Sequence, residues 1–195
     1  MTVVASKYAR AENDKELAET LMRRLRYDRM SGVLIWNERS PSDFVAGKYS
    51  AERICQRWNT RFAGKQAGYR GADGYWRINI GPKSFLLHRV AWLISNGSWP
   101  NDQLDHEDQD EGNNRLGNLR EATNSQNAKN KPLQANNKTG YAGVVARADK
   151  WVANIKVDGK RTHLGTFPNF DDAVAARLTA AKAAGFSPKH GVQNR

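Results

Sequence analysis

The amino-acid sequence predicts an α+β fold in which small antiparallel strand sets alternate with short helices, on three observations. Turn signals separate short alternating runs: Asp73-Gly74 and Gly81-Pro82 bracket Tyr75 to Ile80, and Asp158-Gly159 follows Lys150 to Val157. Apolar residues recur at helical spacing between such runs, as in Leu17, Leu21, Leu25 and in Phe170, Val174, Leu178, Ala181. Thr123-Asn124-Ser125-Gln126 has the Ser/Thr-x-x-Glu/Gln form of a capping box, which starts a helix at Thr123.

Taken in order, residues 12–30 read as a mixed-charge helix, and Gly32 to Trp36 as a strand after the turn at Met30-Ser31. A second block opens near Gly68 with the strand Tyr75 to Ile80, the turn at Gly81-Pro82 and a return strand from Ser84 to Leu87. His88 to Asn96, with Val90, Ala91, Leu93 and Ile94, reads as a helix closed by Gly97. Next come a strand holding Asp105 and His106, a loop, a short strand at Leu119-Arg120 and a helix carrying Asn127. After polar residues from Lys129 to Thr139, a third block predicts three antiparallel strands, Gly140 to Val145, Lys150 to Val157 and Arg161 to Phe167. Its helix is capped by Asn169 and ends at Gly185. In the middle strand Trp151, Ala153, Ile155 and Val157 alternate with Lys150, Asn154 and Lys156, so one helix covers one face and a basic face stays exposed. The expected organisation is 1–67 as an N-terminal helix and strand region, 68–131 as a second domain, 132–139 as a linker, 140–186 as a sheet-and-helix domain, and 187–195 as a tail.

Charge narrows the partners. The chain of 195 residues has 31 Lys and Arg against 20 Asp and Glu, giving +11 and a pI near 9.9. Such an excess favours nucleic acid ahead of a membrane surface, with a basic protein lacking any such partner as the bland alternative. Cys55 stands alone, which excludes an internal disulfide and a Cys-rich zinc site. No apolar run of signal-peptide or membrane-spanning kind occurs, so a protein of the reducing cytoplasm without a membrane partner is expected. Nothing in the sequence points to an obligate protein partner.

Six of the 20 acidic residues lie between Asp105 and Glu121, against only Arg115 and Arg120. In a chain this basic, a divalent cation would give the acidic island a reason, because hard cations take carboxylate and amide oxygens. Asn118 lies twelve residues after His106, and Asn127 nine after Asn118.

This segment resembles the HNH nucleases, and the spacing is similar to that of phage-type HNH homing endonucleases. The first motif is Asp105-His106, the second Asn114 with Asn118, and the third Asn127. His88-Arg89-Val90-Ala91-Trp92, Gly97-Ser98-Trp99-Pro100, Asn118-Leu119-Arg120-Glu121-Ala122-Thr123, and Tyr27 with Gly32 to Trp36 also look like this family, over roughly residues 25–131. The resemblance implies a ββα-metal (His-Me finger) nuclease domain in the second block and metal-dependent hydrolysis of double-stranded DNA. His106 would be the general base on water, and Asp105 and Asn127 would bind the ion. Asn118 would orient His106 or brace its loop, while Asn113-Asn114 shapes the turn. The ion expected on ligand type is Mg²⁺, with Mn²⁺ as substitute and no zinc. Arg89, Arg115 and Arg120 are assigned to DNA. The bland alternatives are a surface-loop His106, a turn-capping Asp105, a helix-surface Asn127 and a solvated loop for Glu107, Asp108, Asp110 and Glu111. His88 reads as structural or phosphate-contacting.

The third block resembles the plant Apetala-type, ethylene-response-factor-like DNA-binding domain over about residues 138–185. The matching pieces are Gly140-Tyr141-Ala142-Gly143-Val144, Lys150 to Ile155 and Leu164-Gly165-Thr166-Phe167. Carried over by position, Arg147, Lys150, Asn154, Lys156, Arg161 and His163 would face DNA. Ala142 and Val145 stand where those domains carry arginines, and His163 replaces a tryptophan. A second positive region comprises Arg53, Arg57, Arg61, Lys65, Arg70 and Arg77. The other readings are a non-catalytic DNA-binding protein that keeps the nuclease fold as scaffold, and an RNA-binding or ribosome-associated protein.

Overall fold

Leu17 and Leu21, four residues apart, both turn inward from helix α1 (Lys15–Arg24). The computed structural model describes residues 15–192. Residues 12–14 of the expected first helix and 193–195 of the expected tail lie outside the described residues. The chain divides into two units, Met1–Glu121 and Ala122–Arg195.

The first helix ends before its apolar spacing does. From Leu25 the backbone is extended, and β1 (Leu25–Asp28) pairs antiparallel with β2 (Val33–Trp36), Leu25 opposite Trp36. The Asp28 carboxylate accepts from the backbone N–H of Met30 at 2.9 Å, and Gly32 takes φ +76°, so the chain turns back here rather than continuing helical. A 3₁₀ turn (Pro41–Asp43) leads to α2 (Ala51–Phe62), an addition to the expected elements, where the Ser50 hydroxyl accepts from the N–H of Arg53.

β3 (Tyr69–Arg70), β4 (Trp76–Ile80) and β5 (Lys83–Leu86) form an antiparallel sheet in that order, and α3 (Leu87–Asn96) follows, closed by Gly97 at φ +75°. β6 (Gln103–His106) and β7 (Leu119–Ala122) form a two-stranded sheet. One core joins Leu17, Leu21, Leu25 and Leu34 to Ile78, Phe85, Leu87, Val90 and Leu93, so the N-terminal hairpin packs with residues on both sides of Gly68. Each such side chain contributes about 1.5–3 kcal/mol by leaving water.

In the second unit, α4 (Asn124–Lys129) starts from the expected capping box. The Thr123 hydroxyl accepts from the Gln126 N–H, and the Gln126 side chain accepts from the Thr123 N–H at 2.8 Å. β8 (Val144–Arg147), β9 (Lys150–Val157) and β10 (Lys160–Phe167) form an antiparallel sheet with β9 central. α5 (Phe170–Ala183) packs on it through Ala173 and Val174 against Val144 and Ala153, with Trp151 and Phe170 beside them. β8 begins later than expected because Gly140 and Gly143 both take positive φ. At Gly143 a side chain would collide with the carbonyl of Asn154.

The expected tail is stitched in as far as it is described. Ser187 N–H donates to Lys129 O (3.0 Å), Gly191 N–H to Lys131 O (3.2 Å), and Ala142 N–H to Gly191 O (2.7 Å). Tyr141 bridges Val192. At the other end of the sheet the Ser125 hydroxyl donates to the Asp158 carboxylate at 2.5 Å, fastening α4 to the β9–β10 hairpin.

Candidate active site

Strand β6 ends on Asp105-His106, and its entry is held by Glu121, whose carboxylate accepts from the Asn101 N–H at 2.5 Å. The loop that follows is organised around Asp108 rather than left solvated. Its carboxylate accepts from Asp110 N–H (2.9 Å), Asn113 Nδ2 (2.6 Å) and Asn118 Nδ2 (2.8 Å). Burial works to raise this carboxyl, and the hydrogen bonds outweigh it, holding it below the usual carboxylate range. Asn118 also accepts from the Asp108 N–H (3.0 Å) and donates to Asn113 O (2.8 Å), contacts that all lie within the loop.

The amide that meets the imidazole is Asn114. His106 and Asn114 are each 4% exposed, and His106 Nε2 lies 3.0 Å from Asn114 Oδ1. An amide oxygen only accepts, so Nε2 is the donor in this contact. The first unit's hairpin buttresses this contact. Tyr27 donates its hydroxyl proton to Asn114 O (2.9 Å) and accepts from Leu116 N–H (3.1 Å). Gly32 permits the approach, since a Cβ there would come within 2.7 Å of Arg115 N.

Asp105 is paired with Arg120, whose guanidinium donates to Oδ2 at 2.8 and 3.2 Å. Arg89 donates to the carbonyls of Asp102 (3.1 Å) and Pro100 (3.4 Å), and Arg115 to Met30 O (2.8 Å) and Asn113 Oδ1 (3.2 Å). Each of the three arginines assigned to DNA in this region thus has protein contacts. Asn127 stands on α4 in the second unit, and Asp105 in the first. No group of three or more His, Cys, Asp or Glu side chains among the described residues could hold a metal. An aspartate with an amide oxygen is a different donor set, one of hard oxygens that suits a hard divalent ion.

His88 joins the site. It is 4% exposed, its ring meets His106 edge-on at 5.0 Å between centroids, and Tyr75 lies 5.6 Å from it. Its Nδ1 is buried with no hydrogen-bond partner among the described residues. Burial, then the charges of His106 and Arg89, push its pKa down to about 3, so it is neutral near pH 7. The helical phase of α3 was the available signal, because position 88 shares a face with the buried Ala91.

In the second unit, the register sets Arg147 opposite Lys150, Lys156 opposite Arg161 and Asn154 opposite His163. Directly opposed residues share a face. All six residues assigned to DNA therefore lie on the sheet face away from α5, and Trp151 packs beneath with the helix.

No curated protein and no solved structure matches the chain. One family model does match, over residues 85–129, a stretch that begins in β5, ends with α4 and contains Asp105, His106, Asn114, Asn118 and Asn127. It is HNH_3, described as an HNH endonuclease, and this part of the chain is similar to that nuclease domain.

Proposed function

We propose that the chain is a divalent-metal-dependent endonuclease that hydrolyses phosphodiester bonds in double-stranded DNA. The observation that carries the reading is buried His106, next to Asp105 and hydrogen-bonded to Asn114, inside the stretch similar to HNH endonucleases. His106 takes the proton from the attacking water. Asp105 and Asn127 would hold the ion, Mg²⁺ by donor type with Mn²⁺ as substitute. When bound, the ion supplies positive charge against the phosphate and the leaving oxygen. Asn118 fixes the loop on which Asn114 is carried.

The substrate is held by the ethylene-response-factor-like domain, whose sheet face carries Arg147, Lys150, Asn154, Lys156, Arg161 and His163. Phosphate contacts there would contribute most of the affinity and make it salt-dependent. Arg89, Arg115 and Arg120 border the cleavage site.

Supercoiled plasmid incubated with wild type and His106→Ala, in Mg²⁺ and in EDTA, tests the proposal. Nicked or linear DNA is expected with wild type and metal alone, and the variant should be slower by about 10²–10⁴. Equal cleavage by wild type and variant would overturn the assignment of His106.

A further inference from the structure

Beside the first core, against which Trp36 packs, four aromatic rings collect around α2. Trp58 meets Trp36 edge-on at 5.6 Å between centroids, Phe62 at 5.3 Å and Phe44 at 6.4 Å, and none of the four is fully buried. Trp36, Trp58 and Phe62, together with Arg24, Arg39 and Asn79, line a cleft of about 310 Å³ in the first unit. It lies outside the stretch matched to the nuclease family.

Arg39 is built into this cleft. Its N–H donates to Asn59 Oδ1 (3.0 Å), and its carbonyl accepts from Asn59 Nδ2 (2.9 Å) and Cys55 Sγ (3.0 Å). Its guanidinium carbon lies 4.3 Å from the Trp58 ring centroid and 5.3 Å from that of Phe44. The Nε atoms of both Arg39 and Arg24 are sealed from solvent with no hydrogen-bond partner among the described residues. Burial, and then the charge of Arg24, hold the Arg39 guanidinium below its ordinary range. Two guanidiniums that repel each other and line one cleft suit an anion there, although the Asp43 carboxylate already offsets part of the charge on Arg39. The aromatic walls add what a bare phosphate would not use. Along the outer side of α2 a basic stripe of Arg53, Arg57 and Arg61 runs to the cleft, with the Arg61 guanidinium 5.0 Å from the Phe62 ring.

We propose that this cleft binds one unpaired nucleotide of a DNA strand, its phosphate on Arg24 and Arg39 and its base against Trp36 and Phe62. Stacking of this kind tolerates any base, because every base has a π-face. The inference rests on the proposed DNA substrate only for the choice of strand, and it requires neither metal nor cleavage.

The test uses the full chain in EDTA and reads fluorescence anisotropy with an end-labelled oligodeoxythymidylate of about ten nucleotides, against a blunt duplex of the same length. Two variants are compared with wild type. Arg39→Gln removes the cation, and Asn79→Trp plugs the cleft from an exposed strand position while leaving both arginines in place. Each should weaken oligonucleotide binding by about tenfold, the scale of one base–aromatic stack, with duplex binding changed less than about twofold. The thermal melt of Asn79→Trp should match wild type. Unchanged oligonucleotide affinity in Asn79→Trp overturns the proposal, as does an equal loss on the duplex, which would make the cleft a general backbone contact. Tighter binding of the corresponding oligoribonucleotide, sensitive to the same variants, overturns the choice of DNA. A chain that binds as expected yet cuts nothing would count against the nuclease reading alone.

Discussion

Asn114 holds His106 by its side chain and is itself held by Tyr27 through its backbone, at 3.0 and 2.9 Å. One residue of the acidic loop thus ties the imidazole to a hairpin 87 residues earlier in the chain.

Asn114→Ala removes the acceptor that faces His106 Nε2, at a stability cost of about 1–3 kcal/mol. Loss of the orienting partner should lower the cleavage rate by roughly 10–100-fold. Asn114→Asp restores an acceptor and should recover most of that rate. Equal rates for the two variants in single-turnover cleavage would show that the acceptor does not orient the imidazole.

Arg120→Ala removes a cation from Asp105 and should strengthen divalent binding. An ion pair with a half-exposed arginine contributes roughly 0.5–1 kcal/mol, so Mn²⁺ titration by calorimetry should show about a two- to fivefold tighter site. Weaker Mn²⁺ binding would mean that the arginine positions the carboxylate rather than competing for it.

Buried His88 predicts a pH response of stability. His88 is held at a folded pKa of about 3, below its unfolded value near 6.5, and is neutral in the fold. Its stabilising contribution is fully present above pH 6.5 and is lost as pH falls from there toward 3, because the unfolded chain takes up the proton first. Thermal melting of wild type should therefore drop more between pH 7 and pH 4.5 than that of His88→Phe. Parallel pH curves would count against a buried neutral imidazole.

On the sheet face, Lys156→Ala with Arg161→Ala removes two opposed cations. If both meet phosphates, the slope of log affinity for duplex DNA against log salt should fall by about 1.8 units, 0.9 for each contact. An unchanged slope in filter binding or anisotropy would place duplex DNA elsewhere.

Local rules were legible where the chain obeys them within a few residues. The Thr123–Gln126 box, the glycine after Asn96 and the Asp158-Gly159 hairpin all stand where the sequence reads them, since each depends only on near neighbours. Leu25 misled because a period of four cannot tell a third helical turn from a strand that buries the same leucine. Spacing alone could not choose between Asn114 and Asn118 as the partner of His106. They lie four residues apart in one loop, and the choice is made by Tyr27 and Gly32 from a distant hairpin. The same holds for His88, whose meeting with His106 depends on how α3 packs beside β6.

The last described residues close a loop of hydrogen bonds from Gly191 to Ala142 and Lys131, and from Ser187 to Lys129. A sheet domain anchored this way has no clean seam at residue 139 where it could be excised and grafted onto another protein. A graft that keeps these bonds starts no later than α4 and runs to Val192, so whoever recombines these modules carries the Asn127 helix along with the sheet.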